Sequence, residues 1–101
     1  MKEEVRAFKL ITGEEVIAHT TQSQDEHTPD SKYTLRQPQI VVIGAHPKTG
    51  QLMNQLVPYL ASNPEDGSIT IKETAILGEV SNVPEQLYKA YLQHTSKIQI
   101  A

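Results

Sequence analysis

The chain has no cysteine, no tryptophan and only one phenylalanine. Without cysteine there is no disulfide framework, no zinc ribbon or finger, and no thiol nucleophile. Stability must then come from one apolar core, and 101 residues are enough to enclose one. With one Phe, four Tyr and no Trp, the side chains able to stack on bases are few. A basic excess is also missing: 9 Lys and Arg stand against 12 Asp and Glu, a formal charge of -3. Phosphate binders usually carry the opposite balance, because neutralising phosphates supplies most of their affinity. No apolar run approaches the length of a membrane span, and Ile40–Ile43 is typical of those present. Met1-Lys2-Glu3-Glu4 leads into a mixed polar strand rather than an apolar segment, so no signal peptide is read. The expectation is a cytoplasmic protein with no membrane partner, which the lack of cysteine suits.

Signatures of chemistry are missing too. No two of His19, His27, His46 and His94 are spaced at i, i+3 or i, i+4, and none belongs to a metal-site motif. Asp25, Glu26, His27 and Asp30 cluster in one polar stretch without calcium-loop spacing and read as a solvated loop tip. Ala45–Gly50 (AHPKTG) ends in Lys-Thr-Gly but lacks the glycine order of a phosphate loop. No G-x-S-x-G elbow or nucleophile–base arrangement is present. No catalytic residue, metal site or cofactor is assigned, and a non-enzymatic role is expected.

What the chain does contain is β pattern. In Val5–Thr20, Phe8, Leu10, Val16 and Ala18 recur at alternate positions around Thr12-Gly13, which predicts a hairpin of strands Val5–Ile11 and Glu14–Thr21. Gly13 supplies the positive φ that a tight turn requires. Gln22–Ser31 is polar and holds Pro29, so it reads as a surface loop. Lys32–Ala45 is rich in β-branched residues and reads as a long strand, with an edge or bulge expected at Pro38, which cannot donate to a ladder. Gln51–Ala61 fits both periods. Pro58 would cost a helix interior roughly 3 kcal/mol, so a strand is preferred. Ser62–Ser68 is a turn. Ile69–Val80 reads as β structure divided by a kink near Lys72–Thr74.

One helix is predicted, over Asn82–His94. Asn82 is placed as its N-cap, Pro84 in its first turn and Glu85 as a capping-box partner. Val83, Leu87, Ala90, Tyr91 and His94 form a stripe, widened by Tyr88 and Leu92, by which the helix docks. Tyr88 and Tyr91 read as packing residues, one on the sheet and one at its rim. Ile98 and Ile100 suggest a last short strand. There is no repeat and no linker, so residues 1–101 form a single domain.

Two stretches carry a family resemblance. Leu10-Ile11-Thr12-Gly13-Glu14-Glu15-Val16-Ile17-Ala18 resembles the first Sm motif, apolar-x-polar-Gly-charged-x-apolar-x-Gly, with Ala18 in place of the second glycine. Ile71-Lys72-Glu73-Thr74-Ala75-Ile76 resembles the second, Ile-Arg-Gly-x-x-apolar, with Lys72 at the basic position and Glu73 in place of glycine. The chain thus resembles the Sm/Lsm-like family over about residues 5–80, and also small Sm-like proteins of tailed-phage and marine microbial genomes. The resemblance implies a mostly β fold, a small Sm-like (SH3-type) open five-stranded barrel, here followed by a C-terminal helix at about 82–94 and a tail at 95–101. A plain SH3-like or OB-like barrel predicts similar strands.

The resemblance also implies two functions. One is single-stranded RNA binding around Lys72, with Tyr33 stacking. The other is protein interaction or assembly by a chain that has kept the ring and lost the RNA site. Three departures bear on the choice. The Asp-x-x-x-Asn signature is absent, since Glu26, His27, Thr28 and Pro29 follow Asp25. Glu73 is acidic where family members admit RNA, and the helix follows the strands instead of preceding them. Sm-like neighbours pair their fourth and fifth strands edge to edge, which here implies Leu52–Leu60 and Ile69–Lys72. Leu52, Leu56, Val57, Tyr59, Leu60, Ile69 and Ile71 are the expected interface of a cyclic homo-oligomer, with a dimer as runner-up.

Overall fold

The computed structural model describes residues 3–24, 31–63 and 66–100. Among the described residues, six antiparallel strands form one sheet and one helix follows them. The strands are β1 (Glu4–Leu10), β2 (Glu15–Gln24), β3 (Ser31–Ala45), β4 (Leu52–Pro58), β5 (Ser68–Lys72) and β6 (Ile76–Val80), and the helix is α1 (Glu85–Ile100). The sheet order is β4-β3-β2-β1-β6, with β5 also paired to β3. A 3-10 turn, Glu73–Ala75, joins β5 to β6 at the expected kink. No ladder links β5 to β6, so the sheet is not closed.

The β1–β2 hairpin is the centre of the molecule. Its turn is held by Gly13 N–H donating to the Leu10 carbonyl at 2.9 Å and Leu10 N–H to the Glu14 carbonyl at 2.9 Å. Gly13 has φ +107°, a conformation that L side chains rarely adopt. Phe8, Leu10, Val16 and Ala18 are buried on one face of the hairpin with Leu35, and Tyr33, Tyr59, Ile69, Ile71 and Ile76 pack against them. Ala7 and Ile17 are buried on the other face beneath Tyr91 of α1, with Val5, Val41, Leu56, Val80, Val83 and Leu92 around them. Both faces of the hairpin are therefore covered. The alternating pattern identified only the first face, because Ala7 and Ile17 fall at its polar positions.

β3 is long enough to serve three partners. Its first part pairs with β2 and with β5, and its last part with β4. β4 and β5 line the same edge of β3, so the fourth strand expected at Leu52–Leu60 is the distal part of a long hairpin. The loop between Pro58 and Ser68 interrupts that hairpin, and the sheet has six strands rather than five. Between Ile17 and His19 the β2–β3 register shifts, which sets Gln37 and Pro38 opposite Ala18. This is the bulge expected at Pro38, and Gln37 takes the positive φ of 53° within it.

The helix differs from expectation at both ends. Asn82 does not cap it. It has φ 56° and lies ahead of the first turn, in which Tyr88 N–H donates to the Pro84 carbonyl at 3.0 Å. Proline disfavours helical backbone in the preceding residue, so Val83 cannot join the helix and the start moves to Glu85. At the other end Ile98 and Ile100 belong to α1, not to a strand. No glycine or proline occurs between Glu85 and Ile100 to stop the helix, and its buried row continues from Leu87 and Tyr91 to Thr95. Among the described residues no helix is long and apolar enough to cross a membrane.

Candidate functional site

The two residues expected to meet RNA lie on one strand pair but on opposite faces of it. Lys72 is opposite Lys32, and Tyr33 is opposite Ile71. Cross-strand partners share a face and adjacent residues do not. Tyr33 points into the core, its ring centroid 5.3 Å from that of Phe8. The Arg6 guanidinium covers both rings, at 5.3 Å from the Phe8 centroid and 5.5 Å from that of Tyr33. Arg6 is itself held by Glu79, with Nε donating to Oε2 at 3.0 Å. This pairing holds the Glu79 carboxyl below its usual range. Lys72 is exposed. Glu73 accepts the Ser31 backbone N–H at 3.1 Å, so it anchors the start of β3. Asp25, Glu26, His27, Thr28, Pro29 and Asp30 lie outside the described residues.

The expected oligomer residues divide in a similar way. Tyr59, Ile69 and Ile71 pack on the first core and Leu56 on the second. Leu60 is half-buried. Leu52 is 71% exposed and Val57 43%, and they share the hairpin with the exposed Ile43 and Met53. Between β4 and α1 runs a groove of about 680 Å³, whose lining includes Leu52, Asn54, Leu56, Leu87, Ala90 and His94. At the tip of the same hairpin His46 Nδ1 accepts from the Lys48 N–H at 3.1 Å and so shapes the turn.

A polar cluster that sequence reasoning did not find sits at the bulge. The shifted register removes ladder partners from β2 and β3, and the Tyr91 hydroxyl takes their place. It accepts from His19 N–H at 3.0 Å and faces the carbonyls of Gln37 at 2.9 Å and Arg36 at 3.1 Å as donor. Burial pushes the Tyr91 phenol far above its ordinary value. The His19 ring lies against Tyr91, with centroids 5.1 Å apart. Its Nε2 is 3.2 Å from Thr95 Oγ1, whose own proton goes to the Tyr91 carbonyl at 3.1 Å. Nδ1 of the same ring turns toward Glu3, with Oε1 at 3.8 Å. Glu3 receives Arg36 through two bonds, at 2.9 and 2.8 Å. That bonding outweighs desolvation and lowers the Glu3 carboxyl. Burial and then the Arg36 charge lower His19, against a smaller pull from Glu3. The cluster fastens α1 to the sheet. Pro38 was the signal for the bulge, but nothing in the sequence pairs it with Tyr91.

Among the described residues, β4, β5 and β6 each pair with a single neighbour and so leave one whole edge unpaired. β5 carries Lys72 and β6 carries Glu79, whereas β4 (LMNQLVP) has no charged residue. Compared with protein-family models and with curated proteins, the chain matches none.

Proposed function

We propose that the chain is a non-catalytic, Sm-like self-assembling module whose strands form a small open barrel of SH3 type. The observation that supports this reading is the strand path β6-β1-β2-β3-β5, which ends in two unpaired edges. Such edges recruit further strands unless blocked. β5 of one copy beside β6 of the next is a head-to-tail contact, which closes into a cyclic homo-oligomer when the rotation permits. β5 is the Ile69–Lys72 strand that the resemblance implies, and in this reading β6 takes the place of Leu52–Leu60 because the open ends of this path lie at β5 and β6. Light scattering after size exclusion tests the assembly. A mass of several chains is expected, and a mass of one chain at all concentrations would overturn it.

Single-stranded RNA binding is the second reading, favoured by Lys32 lying directly opposite Lys72. Protein assembly is preferred because Tyr33 is committed to the core, the net charge is -3 and Glu73 holds the Ser31 backbone. Filter binding with poly(U) and poly(A) across salt separates the two. Weak, unselective retention that Lys72→Ala leaves unchanged is expected. Tight poly(U) binding lost in Lys72→Ala would restore the RNA reading. The absence of catalysis is open to a broad hydrolase and phosphatase screen, where turnover abolished by one His or Asp substitution would sink it.

A further inference from the structure

We infer that β4 is a second assembly surface, at which two copies of the chain pair antiparallel across a two-fold axis at Asn54. The inference rests on the reading of the chain as a self-assembling module, but it uses a different edge. Tyr59 N–H donates to the Pro38 carbonyl, and the Gln51 carbonyl accepts from His46 N–H. Backbone groups alternate along a strand, so the odd-numbered residues of β4 bond to β3 and the even-numbered ones face outward. Leu52, Asn54 and Leu56 therefore present free-edge N–H and C=O groups. Pro58, which has no N–H, falls on this same edge at its end.

An antiparallel partner satisfies these groups in a self-complementary register. Asn54 opposes Asn54 of the second copy, and Leu52 opposes Leu56 in both directions. Pro58 then lies beyond the paired residues and removes nothing from the ladder. Charge does not oppose the match, since β4 is uncharged and edge strands are normally guarded by charges. The other exposed edge of this hairpin, the side of Val41–Ile43 beyond β2, is flanked by Lys9, Glu14 and Glu15. Pairing sets Leu52, 71% exposed in the single chain, beside Leu56 of the second copy. It also continues the floor of the groove between β4 and α1. A strand pair alone is smaller than the roughly 1,200–2,000 Å² of a typical stable interface, so the association is read across concentration.

The chain has no cysteine, which allows a clean cross-linking test with Asn54→Cys. Hydrogen-bonded residues opposite one another in an antiparallel pair have Cα atoms about 5.5 Å apart, within the roughly 4.4–6.8 Å that a disulfide spans. Mild oxidation of the full chain is expected to give a covalent dimer with Asn54→Cys but not with Thr70→Cys on β5. A head-to-tail ring does not bring a residue against its own copy, so this readout separates the two assemblies. Asn54→Pro removes only an outward donor and is expected to lower the mass by the two-fold contact. Leu52→Lys, at an exposed position, does the same should the proline disturb folding. If Asn54→Cys gives no more cross-link than Thr70→Cys and neither variant changes a multi-chain mass, the β4 pairing is overturned and the ring stands. Cross-linking with a mass of two chains supports β4 pairing and overturns the ring. A mass of one chain throughout overturns both.

Discussion

Tyr91 joins sheet to helix by two separate means, its ring and its hydroxyl. The ring fills the space over Ala7 and Ile17, while the hydroxyl occupies the gap that the bulge opens in the β2–β3 ladder. Tyr91→Phe keeps the first and removes the second, leaving His19 N–H and the Gln37 carbonyl in a buried place without that partner. Such a loss costs about 1–3 kcal/mol, which a urea midpoint would register. A midpoint equal to that of the wild type would mean that the bulge is satisfied by other groups. His19 beside it makes stability depend on pH with a definite sign. Burial and Arg36 hold its folded-state value below the ordinary 6.5, so the unfolded chain takes up the proton first. Stability is then unaffected above about pH 6.5 and falls as the pH drops below it. Glu3, whose folded value is below the ordinary 4.5, acts in a separate and more acidic window. Thermal unfolding of His19→Gln is expected to lose the slope just below pH 6.5, and an identical slope in variant and wild type would assign it to another group.

Among the elements, α1 depends on its docked row. Leu87 is 7% exposed and lines the groove between α1 and β4, and Leu87→Ala is expected to destabilise by about 2–5 kcal/mol. A change below about half a kilocalorie, small beside that range, would mean that the helix is not part of the core. The helix, Leu87 and Tyr91 of its docking face, the β1–β2 hairpin and the strand character of Leu52–Pro58 were legible in the sequence, each through a period or a proline that excludes the alternative. Ala90 and His94 of the expected stripe are exposed, and Thr95 is buried instead. Pro38 marked the bulge because a residue without an N–H cannot sit inside a ladder. Less legible was everything fixed by tertiary placement. Ala7 and Ile17 fell outside the alternating row because their cover, Tyr91 of α1 with Val41, Leu56 and Val80, comes from distant parts of the chain. Tyr33 looked available for stacking because residue type does not reveal that Phe8 lies beneath it and Arg6 above. Asn82 resembled a cap because its type is right, but Pro84 decides where helical backbone can begin.

Across the whole molecule, burial is graded from a centre covered on both faces to a hairpin that projects with its edge open. The long axis measures 54 Å against 33 and 26 Å for the others. Local opening follows such gradients, since segments with few buried contacts and exposed backbone bonds open at low free energy. The amides of Ala7, Phe8, Val16 and Ile17 are therefore expected to exchange only through global unfolding. Along β4 the expected pattern alternates. Met53, Gln55 and Val57 donate toward β3 and exchange more slowly than Leu52, Asn54 and Leu56, whose amides face outward. Raising the protein concentration should slow exchange at those three outward positions and leave Met53, Gln55 and Val57 nearly unchanged if β4 pairs with a second copy. A ring through β5 and β6 would instead protect those strands and leave β4 as it was. Uniform exchange along β4 at every concentration would contradict the strand geometry itself, because the alternation follows from the side of β4 on which β3 lies, whatever the state of assembly.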